Sequence, residues 1–304
     1  MPGGTSTPVI AVGVDGSENA RRALDWAVEE ASRRGASVRM IHAAAVGARQ
    51  RRSPEAAMLA MYHEGRVIFD DARAHVSATP PRLGTALVAG APSRVLVDHA
   101  RRARMLVVGR SGGRITSYVL GSTALHVAVH SDVPVVVVPP DWSGDRPTDA
   151  PVVAGIDIEA DYHDRALEFA FEAARERSAP ILAVYAASPH FWRPTEPGAR
   201  PARDPGRRSG AEAEEALWSA LAPWRDKYPT TPTKAVVEES DPVPALSRHA
   251  RGAALVVLGR PHPPRRSVPG TVTRALLHRA SCPVAVVPDP SPLASALAAN
   301  EPMP

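Results

Sequence analysis

A glycine-rich segment, GRSGGRITSYVLGST, occupies residues 109–123 and directly follows a short apolar run. Its first glycines, Gly109 and Gly112, allow the main chain to approach a ligand closely and to present N–H groups to an anion. The glycine spacing differs from that of the P-loop and of the G-x-G-x-x-G dinucleotide motif. The composition therefore predicts an anion-binding loop of another kind.

The end of the same segment adds groups that suit a phosphate. Gly121 and Ser122 open a helix-like run, where free N–H groups, the serine hydroxyl and the positive end of the helix dipole attract anions. Arg110 and Arg114 can each make bidentate contacts with phosphate oxygens. Residues 109–123 are therefore predicted to hold phosphate groups.

An acidic residue in another part of the chain suggests what the rest of the ligand is. Asp15 ends the apolar run PVIAVGVD, residues 8–15. A carboxylate is a poor neighbour for a phosphate but accepts hydrogen bonds from ribose hydroxyls or an adenine amine. Asp15 and the loop together predict a nucleotide site. The alternative is structural: the glycines form a tight turn, and Asp15 caps the helix that begins near Ser17.

The chain contains the same pattern twice. PVIAVGVD is followed by its near-copy PVVAGID at residues 151–157, and LVVGR at 106–110 is followed by VVLGR at 256–260. We therefore expect two domains, joined by a turn-rich linker and followed by a frayed tail. The predicted bounds are 1–140 and 151–290 for the domains, 141–150 for the linker and 291–304 for the tail.

The elements that must position these residues follow from the apolar runs, which are short, β-branched and continuous. Such runs indicate parallel strands buried on both faces, with helices between them. The first half is predicted to contain strands at 9–14, 37–42, 82–88, 105–108 and 135–138, and helices at 17–34, 55–77, 92–102 and 120–130. The fold class is α/β, with two tandem doubly wound domains, each a five-stranded parallel sheet flanked by helices.

In a doubly wound sheet, ligands bind beyond the carboxyl ends of the strands, where the winding direction reverses. Asp15 follows the first predicted strand, and Gly109 follows the fourth. If these two strands are neighbours, the carboxylate and the glycine loop face one crevice.

Taken together, these features resemble the universal stress protein family in its tandem form, over nearly the whole chain. Its ATP-binding branch has an Asp after the first strand and a G-x2-G-x9-G-[ST] loop after the fourth. Here the loop runs from Gly109 through Gly112 to Gly121, with a second spacer of eight residues, 113–120. The resemblance implies Rossmann-like domains of the HUP type and an ATP site, with or without Mg²⁺. The implied site residues are Gly13, Val14, Asp15, Ala43, Val108, Gly109, Arg110, Gly112, Gly121, Ser122 and Thr123.

The second half departs from this pattern. Asp157, Gly259 and Gly270-Thr271 match, but His262 stands where the second glycine is expected. Four prolines in that loop remove main-chain donors. We expect this half to bind nucleotide weakly or not at all, and to serve as a built-in dimerisation partner.

Composition excludes several classes of protein. Hydrophobic residues make up 44% and charged residues 22%, which is typical of a globular chain rather than a disordered one. No apolar stretch is long enough to span a bilayer, and the N-terminus lacks a signal-peptide pattern. The single cysteine, Cys282, fits a reducing compartment, so we expect a cytoplasmic protein. A net charge of +4 with 5% aromatic residues disfavours nucleic-acid binding.

Catalytic and metal sites are not predicted. His126 and His130 have a spacing that can hold a metal, but no thiol or carboxylate completes a site, so a partly exposed helix face is favoured. No nucleophile and general base stand together, so ATP hydrolysis, if it occurs, should be slow.

The leading interpretation is a stress-response sensor or regulator that binds ATP and acts on unknown protein partners. Its two halves are expected to pair within the chain, or the whole chain to form a homodimer. The alternatives are a nucleotide-independent interaction scaffold and an ATP-hydrolysing or nucleotidyl-transfer enzyme.

Overall fold

The computed structural model describes residues 7–44, 54–76, 82–110, 121–145, 147, 149–160, 163–186, 208, 210–262 and 270–290. The chain divides into two compact units, the first ending at Asp145 and the second containing the described residues from Pro147 onward. Each unit contains one copy of the repeated pattern.

The described residues of the first unit form a sheet of five parallel strands in the order β3-β2-β1-β4-β5. Helix α1 packs against α2, and α3 packs against α4. In chain order the elements are β1 (Val9–Gly13), α1 (Glu18–Arg34), β2 (Ser37–Ala44), α2 (Pro54–His75), β3 (Leu83–Ala89), α3 (Pro92–Ala100), β4 (Met105–Gly109), α4 (Ser122–His130) and β5 (Val135–Val138).

The second unit repeats this topology, with the described strands in the order β8-β7-β6-β9-β10, again all parallel. Helix α5 packs against α6, and α7 packs against α8. The elements are β6 (Val152–Gly155), α5 (Asp164–Arg177), β7 (Ile181–Ala186), α6 (Gly210–Lys227), β8 (Thr233–Glu238), α7 (Pro242–Ala250), β9 (Leu255–His262), α8 (Thr271–Arg279) and β10 (Val284–Pro290).

The sequence signals for these elements are visible in the structure. Strand β5 is four valines, all buried, as expected for a strand covered on both faces. Helix α1 begins where the Ser17 hydroxyl accepts a hydrogen bond from Ala20 N (3.2 Å) and ends at Gly35, whose φ of 59° suits glycine. The predicted α/β class is confirmed, and the elements predicted for the first half are found within two residues of their expected bounds.

The order of the strands fixes where a ligand can bind. From β1 the chain winds outward through β2 and β3, then returns so that β4 pairs with β1 on its other side, with Val12 opposite Val107. The expectation that the first and fourth strands are neighbours is confirmed. Among the described residues, no helix is both long enough and apolar enough to cross a membrane.

Candidate ligand-binding site

A crevice in the first unit, here called the first crevice, opens at the carboxyl ends of β1, β2 and β4. Its volume is about 160 Å³. The predicted site residues that line it are Gly13, Val14, Asp15, Ala43, Val108, Gly109 and Thr123. The structure therefore brings together residues from three strands and one helix, as the winding reversal between β1 and β4 requires.

Asp15 has a local structural role, and one of its carboxylate oxygens remains available. Its Oδ1 accepts a hydrogen bond from Ser17 N (2.9 Å), which holds the turn between β1 and α1. The cap of α1 itself is Ser17, whose hydroxyl accepts from Ala20 N. Asp15 Oδ2 has no hydrogen-bond partner among the described residues, and the side chain is exposed beside the crevice. It can therefore accept a hydrogen bond from a ligand.

His42 supports the main chain next to Asp15. Its Nδ1 lies 2.8 Å from the carbonyl oxygen of Val14. Since a carbonyl only accepts, Nδ1 carries a proton and donates it to Val14. The ring is 6% exposed and meets Phe69 edge-on, with 6.4 Å between centroids. This contact fixes the main chain from which Asp15 projects.

Gly109 provides the close approach that its position suggests. A Cβ placed on Gly109 would lie 2.6 Å from the carbonyl carbon of Asn19 and closer still to its oxygen. The end of β4 therefore packs directly on the first turn of α1, and this packing forms one wall of the first crevice.

The first turn of α4 borders the same crevice. Gly121 is its N-cap residue and provides no side-chain cap, while Leu125 N donates to the Gly121 carbonyl oxygen (3.1 Å). The N–H groups of the first turn have no partner within the helix. Thr123 lines the crevice, so these donors and the positive end of the helix dipole are directed at its edge.

The structure places the remaining predicted residues elsewhere. Gly121 and Ser122 begin α4 but do not line the crevice, and Gly112 and Arg114 lie outside the described residues. The Arg110 side chain is 6% exposed and lies 3.7 Å from Asp141. Its guanidinium group therefore already has a carboxylate neighbour. A role for Arg110 as a phosphate ligand stays a prediction.

Sequence reasoning missed some of the lining. Ser17, Asn19, Ile41, Pro92, Leu96 and Ala124 also line the first crevice. Pro92 could have been found, since it opens the helix that follows β3, and helices that follow parallel strands begin at the ligand-binding edge of the sheet. Leu96 could not, since it reaches the crevice only by packing over Gly13.

The second unit contains an equivalent and larger crevice, here called the second crevice. Its volume is about 550 Å³. The four matching residues, Asp157, Gly259, Gly270 and Thr271, all line it. Strand β9, however, continues through Pro261 and His262, which pair with Asp289 and Pro290 of β10.

His126 and His130 on α4 stack with ring centroids 4.1 Å apart. Burial lowers the pKa of His126, and the nearby charges of His130 and Arg94 lower it further. Within the described part of the chain, no group of three or more His, Cys, Asp or Glu side chains is placed to hold a metal ion.

The comparisons with known proteins agree with this architecture. The universal stress protein family model matches residues 8–139 and again residues 150–288. The universal stress protein Rv2623 of Mycobacterium tuberculosis is 30% identical over 278 residues, which cover 85% of this chain and 88% of that protein. Universal stress protein Rv1996 of the same organism is 30% identical over 312 residues, covering 91% and 94% of the two chains.

Among solved structures, a universal stress protein from Archaeoglobus fulgidus aligns over 93% of this chain and 99% of its own, with a TM-score of 0.71 at 14% identity. This structure supports the fold alone. The family model and the two mycobacterial relatives carry the assignment, and the chain belongs to the universal stress protein family, with two family domains in tandem.

Proposed function

We propose that this protein binds ATP through the first crevice and acts as a nucleotide-responsive regulator in the response to stress. The observation that carries the proposal is that one crevice is lined both by Asp15 and by Thr123 of the first turn of α4. A free carboxylate oxygen suits the hydroxyl and amine donors of a nucleoside, and a helix N-terminus suits its phosphates.

The proposed roles follow from where each group lies. Asp15 Oδ2 accepts from the ribose, and the main chain at Ala43 borders the base. The cavity of about 160 Å³ is smaller than a typical ligand pocket of roughly 300–1,000 Å³, so it holds only part of a nucleotide. The phosphates extend past Gly109 along the first turn of α4, and a Mg²⁺ ion, where present, is held by the phosphates.

A regulatory role is favoured over fast catalysis. A general base must lie within hydrogen-bond reach of the water it activates. His42, the histidine that lines the first crevice, is buried and directs its protonated nitrogen at Val14. Asp15 uses one oxygen to hold its own turn. Hydrolysis by this site should therefore be slow, and the bound nucleotide acts as a signal.

Calorimetric titration with ATP and Mg²⁺ tests the proposal, together with mass spectrometry of any ligand released from the denatured protein. Asp15→Ala removes a charged hydrogen-bond acceptor worth about 1.5–3 kcal/mol, which corresponds to about ten- to a hundredfold weaker binding. Asp98→Ala is the matched control, because it removes an exposed carboxylate on α3 that does not line the crevice. Wild-type protein that binds no ATP at millimolar concentration refutes the proposal.

A second candidate function is a nucleotide-independent interaction scaffold. Helix α2 exposes Met58, Leu59, Tyr62 and Val67, of which Leu59 is 72% exposed. Exposed apolar groups of this kind are found at protein–protein contacts. The same titration separates the two functions, since a scaffold binds its partner equally well with and without ATP. The pairing of the two halves and a homodimer stay predictions.

A further inference from the structure

The large apolar side chains that the described part of the chain leaves exposed all lie on helix α2 of the first unit. They are Met58, Leu59, Tyr62 and Val67, with exposed fractions of 55%, 72%, 58% and 56%. Of the described side chains from Glu55 to Glu64, all except the half-buried Met61 are exposed. The first half of α2 therefore lies outside the core, and its apolar groups face solvent.

The second half of α2 holds the helix to the rest of the unit. A Cβ placed on the buried Gly65 would lie 2.6 Å from the side chain of Leu87 on β3. Nearer the end of the helix, Asp71 forms an ion pair with Arg21 of α1, with 2.7 Å between the charged atoms. At a rise of about 1.5 Å per residue, the segment from Glu55 to Glu64 adds about 15 Å of helix before these contacts.

The fold itself does not require this exposure. Helix α6 follows the second strand of its unit, as α2 does, but it has 18 residues whereas α2 has 22. Its side chains Leu217 and Leu221 are fully buried, and none of the exposed large apolar residues of the described chain lies on it. Exposed apolar groups on only one of two repeated helices indicate a contact surface that is particular to α2.

Four exposed residues of α2 form one line along the helix, here called the α2 stripe: Glu55, Leu59, Tyr62 and Arg66. They are separated by four, three and four positions, which is the spacing of the a and d residues of a coiled coil. At about 100° per residue, the four lie within an arc of about 60°. Leu59 and Tyr62 form the apolar centre of the stripe, and charges of opposite sign lie at its two ends.

The spacing of the stripe reads the same in both directions, so two copies match when their helices run antiparallel. Leu59 of one protomer then faces Tyr62 of the partner subunit, and Glu55 faces Arg66 of the partner subunit. In a parallel pair, each charged residue would face its own copy, and like charges repel. The end charges therefore favour the antiparallel pair, in which both copies use the same surface, as in a twofold symmetric dimer.

The two end charges are available for such a contact. Among the described residues, none forms a hydrogen bond or an ion pair with the Glu55 carboxylate. The Arg66 guanidinium lies 3.6 Å from Asp70, but the two side chains are 84% and 59% exposed. An ion pair this exposed contributes little to stability, so Arg66 loses little when it turns to another carboxylate.

We propose that the α2 stripe is a self-association surface, on which a second copy of this chain docks through an antiparallel pair of α2 helices. The stripe supplies far fewer residues than the roughly 20–30 per partner of a standard interface. The dimer is therefore weak and reversible, and its population depends on the protein concentration. The stripe contains no residue that lines the first crevice, so self-association does not rest on the proposed ATP site.

Sedimentation velocity on the full chain, from about 1 μM to about 1 mM, measures the self-association. Glu55→Arg and Arg66→Glu should each weaken the dimer about tenfold or more, because each change creates two like-charge contacts in a symmetric pair. An equimolar mixture of these two variants should restore the dimer, since every facing pair in the mixed dimer has opposite charges. The double variant Glu55→Arg/Arg66→Glu should restore it for the same reason.

The apolar centre of the stripe is tested separately. Leu59→Ser should weaken the dimer about tenfold or more, because the buried apolar area is lost from both copies. Val67→Ser and Glu64→Arg are the matched controls, since both residues are exposed on α2 but lie outside the stripe. Neither control should change the self-association.

Three outcomes overturn the proposal: a wild type that is monomeric at millimolar concentration, a dimer that keeps its affinity in Leu59→Ser, or a mixture of the two charge variants that stays monomeric. Calorimetric titration with ATP on the same samples separates this inference from the proposed function. Self-association without ATP binding refutes only the ATP site, and ATP binding by a monomeric wild type refutes only the dimer. Near-ultraviolet circular dichroism shows that each variant is folded, and the mixture carries the test in either case because it compares two variants with their own combination.

Discussion

At the scale of single residues, the ligand-facing edge of the first unit depends on a contact that has no space for another atom. Gly109 lies against the main chain of Asn19, so neither group can give way without moving a helix or a strand. A flexible side chain at the same distance could rotate aside, but a carbonyl group in the first turn of α1 cannot. The requirement for glycine here is one of space.

Gly109→Ala should therefore both destabilise the first unit and weaken the binding of ATP. Inserting a methyl group into a packed site typically costs about 1–3 kcal/mol. The added Cβ pushes on Asn19 and so displaces the turn that Asp15 holds. Urea unfolding and ATP titration measure the two effects.

Gly84→Ala is the matched control for this variant. The nearest atom to a Cβ at Gly84 is the Val38 carbonyl oxygen at 3.9 Å, an ordinary contact distance. It should leave ATP affinity unchanged and stability equal or slightly higher, because alanine restricts the unfolded chain more than glycine does. Equal losses in the two variants would contradict the close-contact explanation.

Glu238 is a residue whose contribution depends on pH. Burial raises its pKa, but the hydrogen bond with His249 (2.7 Å) and the charge of Arg248 outweigh this, so the pKa is lowered. A lowered pKa stabilises the fold above the unfolded-state value and loses that effect as the pH falls through the folded-state value. Glu238→Gln should cost about 1 kcal/mol at pH 7 and progressively less below about pH 4.

Unfolding in urea at pH 7 and pH 3.5 checks this prediction, with the exposed neighbour Glu239→Gln as the control. A loss of stability that is the same at both pH values would show that the Glu238 charge does not contribute.

At the scale of the elements, the strands and most helices could be predicted because their signals are local. Continuous valine-rich runs, the Ser17 cap and Gly35 each act within a few residues of the element they define. The start of α5 could not be predicted in this way, since α5 begins seven residues after Asp157 whereas α1 begins three residues after Asp15. Its N-terminus is capped by Asp289, whose Oδ2 accepts from Arg165 N at 2.7 Å across 124 residues of sequence.

The candidate site shows the same division between features with local sequence signals and features that depend on distant contacts. Asp15 and Gly109 could be placed in one crevice because strand order determines which carboxyl ends meet. The partner of Arg110 and the volumes of the two crevices depend on packing between distant segments, which spacing does not encode. Asp241, which lines the second crevice, precedes two prolines in the sequence. From the sequence alone this pattern predicts an ordinary helix cap.

The cap of α5 gives a prediction at this scale. His163, the N-cap residue of α5, makes no side-chain cap bond, so Asp289→Ala leaves the Arg165 N–H without its acceptor. The loss should be about 1 kcal/mol. Asp289→Asn keeps an oxygen acceptor and should not show this loss of stability. Urea unfolding of the two variants measures the difference.

The same aspartate predicts a pH effect of opposite sign to that of Glu238. Burial raises the pKa of Asp289, and the charge of Asp164 adds to this, although the Arg165 N–H lowers it in part. A raised pKa contributes stability that is present below the unfolded value and lost as the pH rises through the folded value. Asp289→Asn should therefore match the wild type near pH 3 and equal or exceed its stability at pH 7. A variant less stable than the wild type at pH 7 would contradict this account.

At the scale of the whole molecule, a duplication has produced two units with the same strand order and different crevices. Each unit has five parallel strands with buried residues of its own, so each can change its ligand site without loss of the other's core. The first has a small crevice bordered by the first turn of α4, and the second has a larger crevice bordered by the first turn of α8. We therefore expect a ligand of one unit to act without the site residues of the other.

ATP should stabilise the chain through Asp15 and independently of Asp157. At about 100 times its dissociation constant, a ligand that binds only the folded state adds about 2.7 kcal/mol, which for a unit of this size raises the melting temperature by roughly 5–10 °C. Scanning calorimetry with ATP and Mg²⁺ should show this shift in the wild type and in Asp157→Ala, and a smaller shift in Asp15→Ala at the same concentration, where tenfold to hundredfold weaker binding leaves about 0.4–1.4 kcal/mol. An unshifted wild type would refute nucleotide binding, and a shift lost equally in both variants would show that the two units share one site.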